Sequence, residues 1–191
     1  MTVASNATPS NTANTIVARD GSGNFSAGTI TLAGNLALPN TTGASAGGIT
    51  VGGNLFLHSF GTYNTFVGPS AGNMTMTGGD NAAFGNRALQ SNTTGANNVA
   101  FGELALGSNT TGSQNTACGW TALGDNQTGT NNAALGADAL FNLKNGDFNT
   151  AIGAFAGYNL TDGSNNIYIG SQGGLSGMNP SSPWKEGSSL I

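Results

Sequence analysis

From residue 64 to residue 170, apolar side chains return to the same two places every 17 residues. The first place is a short alternating stretch, as in Val99-Ala100-Phe101 and Thr116-Ala117-Cys118. Its bulky slot holds Val67, Phe84, Phe101, Cys118, Leu135, Ile152 and Ile169. The slot before it is mostly alanine: Ala83, Ala100, Ala117, Ala134 and Ala151. A period of two is the mark of a strand, here with bulk on one face and methyl groups on the other. The second place is an Ala-Leu pair, seen at Ala88-Leu89, Ala105-Leu106, Ala122-Leu123 and Ala139-Leu140. Polar strings such as "SNTTG" and "DNQTG" follow and close on Gly. The pattern predicts coils of two short strands and two turns. Seventeen residues are too few for a helix and its crossover.

Two polar ladders share the period. Asn64, Asn81, Asn98, Asn115, Asn132, Asn149 and Asn166 are each 17 residues apart, and a Gly follows each of them by four residues, from Gly68 to Gly170. A third ladder, Gly78, Gly95, Gly112, Gly129, Gly146 and Gly163, closes the turns. A fixed period without insertions means stacked coils of one shape, a β-solenoid. Strand spacing puts successive coils about 4.8 Å apart and gives seven coils a length of roughly 30 Å. The asparagines are expected to stack as an amide ladder, each donating to the next. The turn glycines are expected at positive φ, where a Cβ clashes.

A coil this small has a narrow interior, and small cores are marginal. The expected arrangement places the bulky slot inside each roll. It turns the alanine slot (Ala83, Ala100, Ala117, Ala134 and Ala151) outward, toward copies of the same chain. An exposed apolar stripe calls for a partner, and cyclic self-association covers it without open-ended growth.

The strings "NVAFG", "NTAIG" and "NIYIG" resemble the repeat of YadA-like heads in trimeric autotransporter adhesins. The longer phrase "NTAxGxxAL…SNTTG" is similar to repeats of phage tail fibres and bacterial surface fibres. The resemblance covers about residues 61–175. It implies an all-β fold: a trimeric, left-handed parallel β-roll (β-solenoid) of seven 17-residue coils. It also implies a non-enzymatic homotrimeric fibre segment, either a rigid spacer or a tip, that attaches to a cell surface, a glycan or a protein receptor. The implied location is extracellular, on a cell surface or on a virion or phage-tail surface. A 17-residue period is longer than expected for YadA-like coils, so one turn is enlarged. Residues 1–60 lack the period but carry their own echo, "ITLAGNLAL" and "ITVGGNLFL". They resemble the intertwined shaft segments of tail fibres and are read as a β-rich shaft or connector. Residues 176–191 lose the pattern and are read as a C-terminal cap or tail.

Composition narrows the function classes. The chain of 191 residues is 37% hydrophobic and only 6% charged, with 32 glycines and a net charge of -4. Its four basic residues are too few to neutralise a phosphate backbone, so nucleic acid is not an expected partner. No apolar run is long enough for membrane insertion. The first residues have neither a basic n-region nor an apolar h-region, so no signal peptide is expected. The single Cys118 excludes an internal disulfide framework and is read as a buried small hydrophobe. His58 is the only histidine and cannot build a metal site alone, so packing or a shaft-to-roll contact is its expected role. No metal and no cofactor are expected. "DGSGN" (20–24) and "DGSNN" (162–166) lack the carboxylates of a calcium cage and read as turns.

No catalytic residue is assigned. Glu103 and Asp138 are placed in solvent-facing strand slots two coils apart, a weak basis for the alternative of a polysaccharide-degrading solenoid enzyme. An ice-binding solenoid would need an unbroken Thr array. The slot after the ladder asparagine instead reads Thr65, Ala82, Val99, Thr116, Ala133, Thr150, Ile167. Four residues are candidates for ligand binding: Trp120 and Phe155, in outward slots that are small or polar elsewhere, and Trp184 and Lys185 in the tail.

Overall fold

The computed structural model describes residues 47–171. Trp184, Lys185, the tail from 176 and most of the 1–60 connector, including the "ITLAGNLAL" strand, lie outside the described residues. Nine strands form one sheet in chain order: β1 (Ile49–Val51), β2 (Asn54–His58), β3 (Thr65–Val67), β4 (Ala82–Phe84), β5 (Val99–Phe101), β6 (Thr116–Cys118), β7 (Ala133–Leu135), β8 (Thr150–Ile152) and β9 (Ile167–Ile169). β1, β2 and β3 pair antiparallel, and β3 to β9 pair parallel with equivalent residues side by side. Seven parallel strands mark off six full turns of a β-solenoid, and the described residues contain no helix.

Each turn of the solenoid has one three-residue strand, not the two that the sequence pattern suggests. The Ala-Leu stretch is not extended, because residues on either side of its alanine take left-handed backbone. Examples are Leu104 (φ 57) with Leu106 (φ 51), and Asp138 (φ 55) with Leu140 (φ 52). Such residues kink the chain twice within three positions. The stretch still bonds to its neighbours: Leu106 N donates to Ala122 O at 3.0 Å, and Leu123 N to Ala139 O at 2.9 Å.

The strand is inverted relative to the expected orientation. Ala83, Ala100, Ala117, Ala134 and Ala151 are buried inside their own chain, so they are not the surface that faces a partner. Phe84, Phe101, Leu135, Ile152 and Ile169 are exposed, and Val67 and Cys118 are half-buried. Volume is the reason. One Leu per coil (Leu89, Leu106, Leu123, Leu140) already fills the narrow interior, together with stacked asparagines. What remains opposite accepts only a methyl group. The first coil confirms this by exchange. There Phe66 occupies the alanine slot and is fully buried, and Gly72 occupies the leucine slot. A Cβ on Gly72 would lie 2.7 Å from the Phe66 ring. At the other end Tyr168 takes the alanine slot and leans over Gly157, where a Cβ would meet its ring at 2.8 Å. An aromatic ring thus closes each end of the alanine-leucine core.

The asparagine ladder is present and continuous. Asn98 donates Nδ2 to Asn81 Oδ1 (3.1 Å) and to Gly112 O (2.9 Å), and its own Oδ1 accepts from Asn115 N (3.0 Å) and Nδ2 (3.2 Å). The same bonds recur from Asn64 to Asn166. A second ladder runs beside it: Asn109 Nδ2 donates to Asn92 Oδ1 (2.8 Å), and Asn126 Nδ2 to Asn109 Oδ1 (2.7 Å). The slot then changes to Leu143, and Asn126 Oδ1 is left buried without a partner. The turn glycines Gly95, Gly112, Gly129 and Gly146 are not at positive φ. They are glycine because a Cβ would collide with the next coil's carbonyl, 2.3 Å away for Gly95 and 2.4 Å for Gly112. The residue that does turn left-handed lies two positions on, at Asn97, Gln114, Asn131 and Phe148.

His58 joins the β1–β2 hairpin to the first coil. Its buried ring lies 4.9 Å from the Phe66 ring. Nε2 donates to Ala71 O at 2.8 Å, and Nδ1 accepts from Phe60 N at 3.4 Å, a pair of bonds that suits the neutral ring. Burial holds its pKa below the ordinary value of 6.5, only partly offset by the bond to the Ala71 carbonyl. Stability from the neutral ring is therefore complete above about pH 6.5 and declines as pH falls toward the lowered folded-state value, because the unfolded chain takes up the proton first. Melting temperature is expected to drop between pH 7.5 and pH 5, and His58→Gln is expected to flatten that drop. Thermal unfolding followed by far-UV circular dichroism at the two pH values checks it. An equal drop in both proteins would remove His58 as the cause.

Candidate functional site

Two surfaces of the roll depart from a polar coat. The first is the outer face of the sheet. Register places Ile49 beside Leu57 and Leu57 beside Val67. The row then continues through Phe84, Phe101, Cys118, Leu135, Ile152 and Ile169. One apolar side chain from every strand thus stands in a single row, roughly 38 Å long at 4.8 Å per strand. Phe84 and Phe101 stack at 4.7 Å between ring centres with planes 1° apart. Every member is half-buried or exposed, and Phe101 is 43% exposed. Val99 and Ile167 flank the row from the other outward slot. Cys118, expected in the interior, is a half-exposed member of this row.

The second surface lies on the bend after the strand, in the coils that carry residues 119–158. Trp120 is 55% exposed and Phe155 is 39% exposed. Both candidates sit on this bend, in adjacent slots two coils apart. Sequence reading missed two further aromatics on this side of the roll. Phe141 and Tyr158 occupy one slot of successive coils and stack at 5.6 Å with planes 9° apart. Phe155 tilts onto Tyr158 at 5.7 Å. In the coil below, the same slot is Gly124, where a Cβ would lie 2.9 Å from the Phe141 ring. The signal was available as a change from Gln90, Gly107 and Gly124 to Phe141 and Tyr158, but it occupies only two coils.

Asp138 is not a solvent-facing strand residue. It is buried on the bend, and Thr121 Oγ1 donates to its Oδ1. Glu103 is exposed and also lies outside any strand, so the two carboxylates do not form a cleft pair. Asp162 of "DGSNN" accepts from Asn145 Nδ2 at 3.1 Å as one rung of a turn ladder. No group of three or more His, Cys, Asp or Glu close enough for a metal exists among the described residues. Two further exposed aromatics, Tyr63 and Phe148, stand singly at left-handed positions of the opposite corner (φ 56 and 57). No helix among the described residues is long and apolar enough to cross a membrane. No family model, curated protein or solved structure matches this chain.

Proposed function

We propose that this chain is a non-enzymatic segment of a homotrimeric, left-handed β-roll fibre of the adhesin or tail-fibre type, working outside the cell or on a virion. Its role in this reading is attachment to a cell-surface glycan or receptor, with the roll as a rigid spacer or tip. The observation that carries it is the apolar row from Ile49 to Ile169. Isolated surface apolar residues need no partner, but a row that draws on every strand of the sheet is a contiguous patch. Identical copies in parallel register bring like rungs to one axis and cover all three rows at once. The repeat strings that resemble YadA-like heads and tail-fibre repeats point the same way.

The test is the oligomeric state. Light scattering on the full chain is expected to give three times the 18.8 kDa chain mass. Phe101→Asp puts a charge at the middle of the row and is expected to break the assembly into single chains that keep the β-sheet circular dichroism signal. A wild-type chain that runs as a monomer would count against the fibre reading. So would an assembly indifferent to Phe101→Asp.

A further inference from the structure

We propose that the bend carrying Trp120, Phe155, Phe141 and Tyr158 binds a neutral sugar ring. The inference rests on the attachment reading above and names the ligand class. In slots that define the scaffold, the repeat barely varies: Asn, Ala, Leu and Gly recur coil after coil. On this bend it stops repeating. Trp120 stands where other coils have Asn86, Glu103 or Ala137, and Phe155 where they have Arg87, Leu104, Thr121 or Asp138. Neither residue is part of the core: Ala122 and Leu123 beside Trp120 and Ala156 beside Phe155 are buried, and Tyr168 covers Gly157 in the leucine slot of the Phe155 coil.

The backbone beneath is rigid. Asp138 N donates to Trp120 O at 2.9 Å, Phe155 N to Ala137 O at 2.8 Å, and Asn142 Nδ2 to Tyr158 O at 2.7 Å. Phe155 takes the same left-handed backbone (φ 59) as Arg87, Leu104, Thr121 and Asp138 in its slot, so the coil itself fixes where the ring stands. The ring is held outward, tilted 56° against Tyr158. Gly157 and Asn159, on either side of Tyr158, line a shallow pocket of about 140 Å³ with Leu160 and Tyr168.

Ligand chemistry follows from what surrounds the rings. The aromatic faces suit a ligand with an apolar C–H face, and the polar neighbours suit one with hydroxyl edges. A pyranose ring has both. A protein partner would need about 800 Å² on each side. The platform covers three coils, about 10 Å of the roll by strand spacing, which is small for that. Charge selects among sugars. The described residues carry Asp80, Glu103, Asp125, Asp138, Asp147 and Asp162 against Arg87 and Lys144. An acidic sugar would meet a field of its own sign, so the ligand is a neutral one.

The experiment uses the full chain with Trp184→Phe, so that Trp120 is the only fluorescent indole. The probes are the tetramers of N-acetylglucosamine, cellobiose-type glucose and maltose-type glucose, with tetragalacturonate as the acidic control. At least one neutral tetramer is expected to bind in calorimetry and to shift Trp120 emission. Phe155→Ala and Tyr158→Ala are each expected to weaken that binding at least tenfold, with circular dichroism and mass unchanged. Tetragalacturonate is expected to bind at least tenfold more weakly. Should Tyr158→Ala disturb the fold, the exposed Trp120→Ala decides the matter by calorimetry alone. Absence of binding by all three neutral tetramers at millimolar concentration would overturn the proposal. Equal affinity for tetragalacturonate, or wild-type affinity in the alanine variants, would do the same. The assembly is judged separately by light scattering. A monomer that binds a neutral tetramer sinks the trimer and keeps this site, whereas a trimer that binds none sinks only this site.

Discussion

Gly119→Ala is expected to destabilise the roll by about 3–5 kcal/mol, among the largest effects a single methyl group can have here. Gly119 sits at φ +142, a backbone conformation that a side chain tolerates poorly. A Cβ there would also lie 2.4 Å from Gly136 O and 2.5 Å from Gly136 C, atoms of the next coil's backbone. Backbone cannot swing aside as a side chain can. The coils must separate, and Gly136 N then loses its 2.8 Å bond to Cys118 O. Gly170 allows the two causes to be told apart. It holds the same slot with φ +115, and a Cβ there meets nothing within 4 Å. Gly170→Ala therefore carries the conformational strain alone, about 1–3 kcal/mol. Thermal and urea unfolding of both variants reads the difference. Equal losses would mean that φ alone fixes glycine at this slot and that coil-to-coil contact does not.

The contrast between these glycines also shows where sequence reading runs out. The period, the asparagine ladder and the all-β class are legible because each coil imposes the same demand on the same slot, and repetition makes the demand visible. The direction of a slot is not repeated information. In Val99-Ala100-Phe101 alternation separates two faces but does not label either as interior. The label comes from volume, and the clue in the sequence is the paired exchange of Phe66 with Gly72 at the first coil. Both glycine ladders look alike in sequence, yet Gly102 is glycine for its φ of +135 and for its neighbour, and Gly112 for its neighbour alone. The second strand does not form: Ala105 and Leu106 are adjacent and both buried, which a strand does not give, and leucine at φ 51 contradicts its intrinsic preference. The tie to adjacent coils overrides that preference. Of the binding candidates, Trp120 and Phe155 were visible as departures from the repeat. Phe141 and Tyr158 also depart from Gln90, Gly107 and Gly124 in their slot, but in only two coils, and their stacking is not readable from sequence.

Asn98→Ala tests an inner rung of the ladder and is expected to cost about 2–4 kcal/mol, against about 1 kcal/mol for Asn166→Ala at the last described rung. The asymmetry follows from what each change strands. Removal of the Asn98 amide leaves Asn81 Oδ1 and Gly112 O without its donors, and Asn115 N and Nδ2 without their acceptor. Asn81 Oδ1 keeps its bond from Asn98 N (3.0 Å), Gly112 O its bond from Asn109 Nδ2 (2.9 Å) and Asn115 Nδ2 its bond to Gly129 O (2.8 Å), so the group left buried without a partner is Asn115 N. Asn166 is partly exposed. It donates Nδ2 to Asn149 Oδ1 at 2.9 Å and to Ser164 O at 3.1 Å, and solvent can replace both. Asn149 Oδ1 keeps its bond from Asn166 N at 3.0 Å, as Asn81 Oδ1 does from Asn98 N, so the two sites differ in the stranded Asn115 N and in the exposure of Asn166. Asn98→Asp sharpens the test. It preserves the acceptor for Asn115 but replaces the donor with a buried charge, so it is expected to be no milder than the alanine variant at neutral pH. The solenoid transmits such a defect only to neighbouring coils, so amide hydrogen exchange should rise first around residues 81 and 115. If Asn98→Ala and Asn166→Ala unfold at the same temperature, the stacked amides contribute nothing beyond their own polarity, and the roll is held by its leucines and backbone alone.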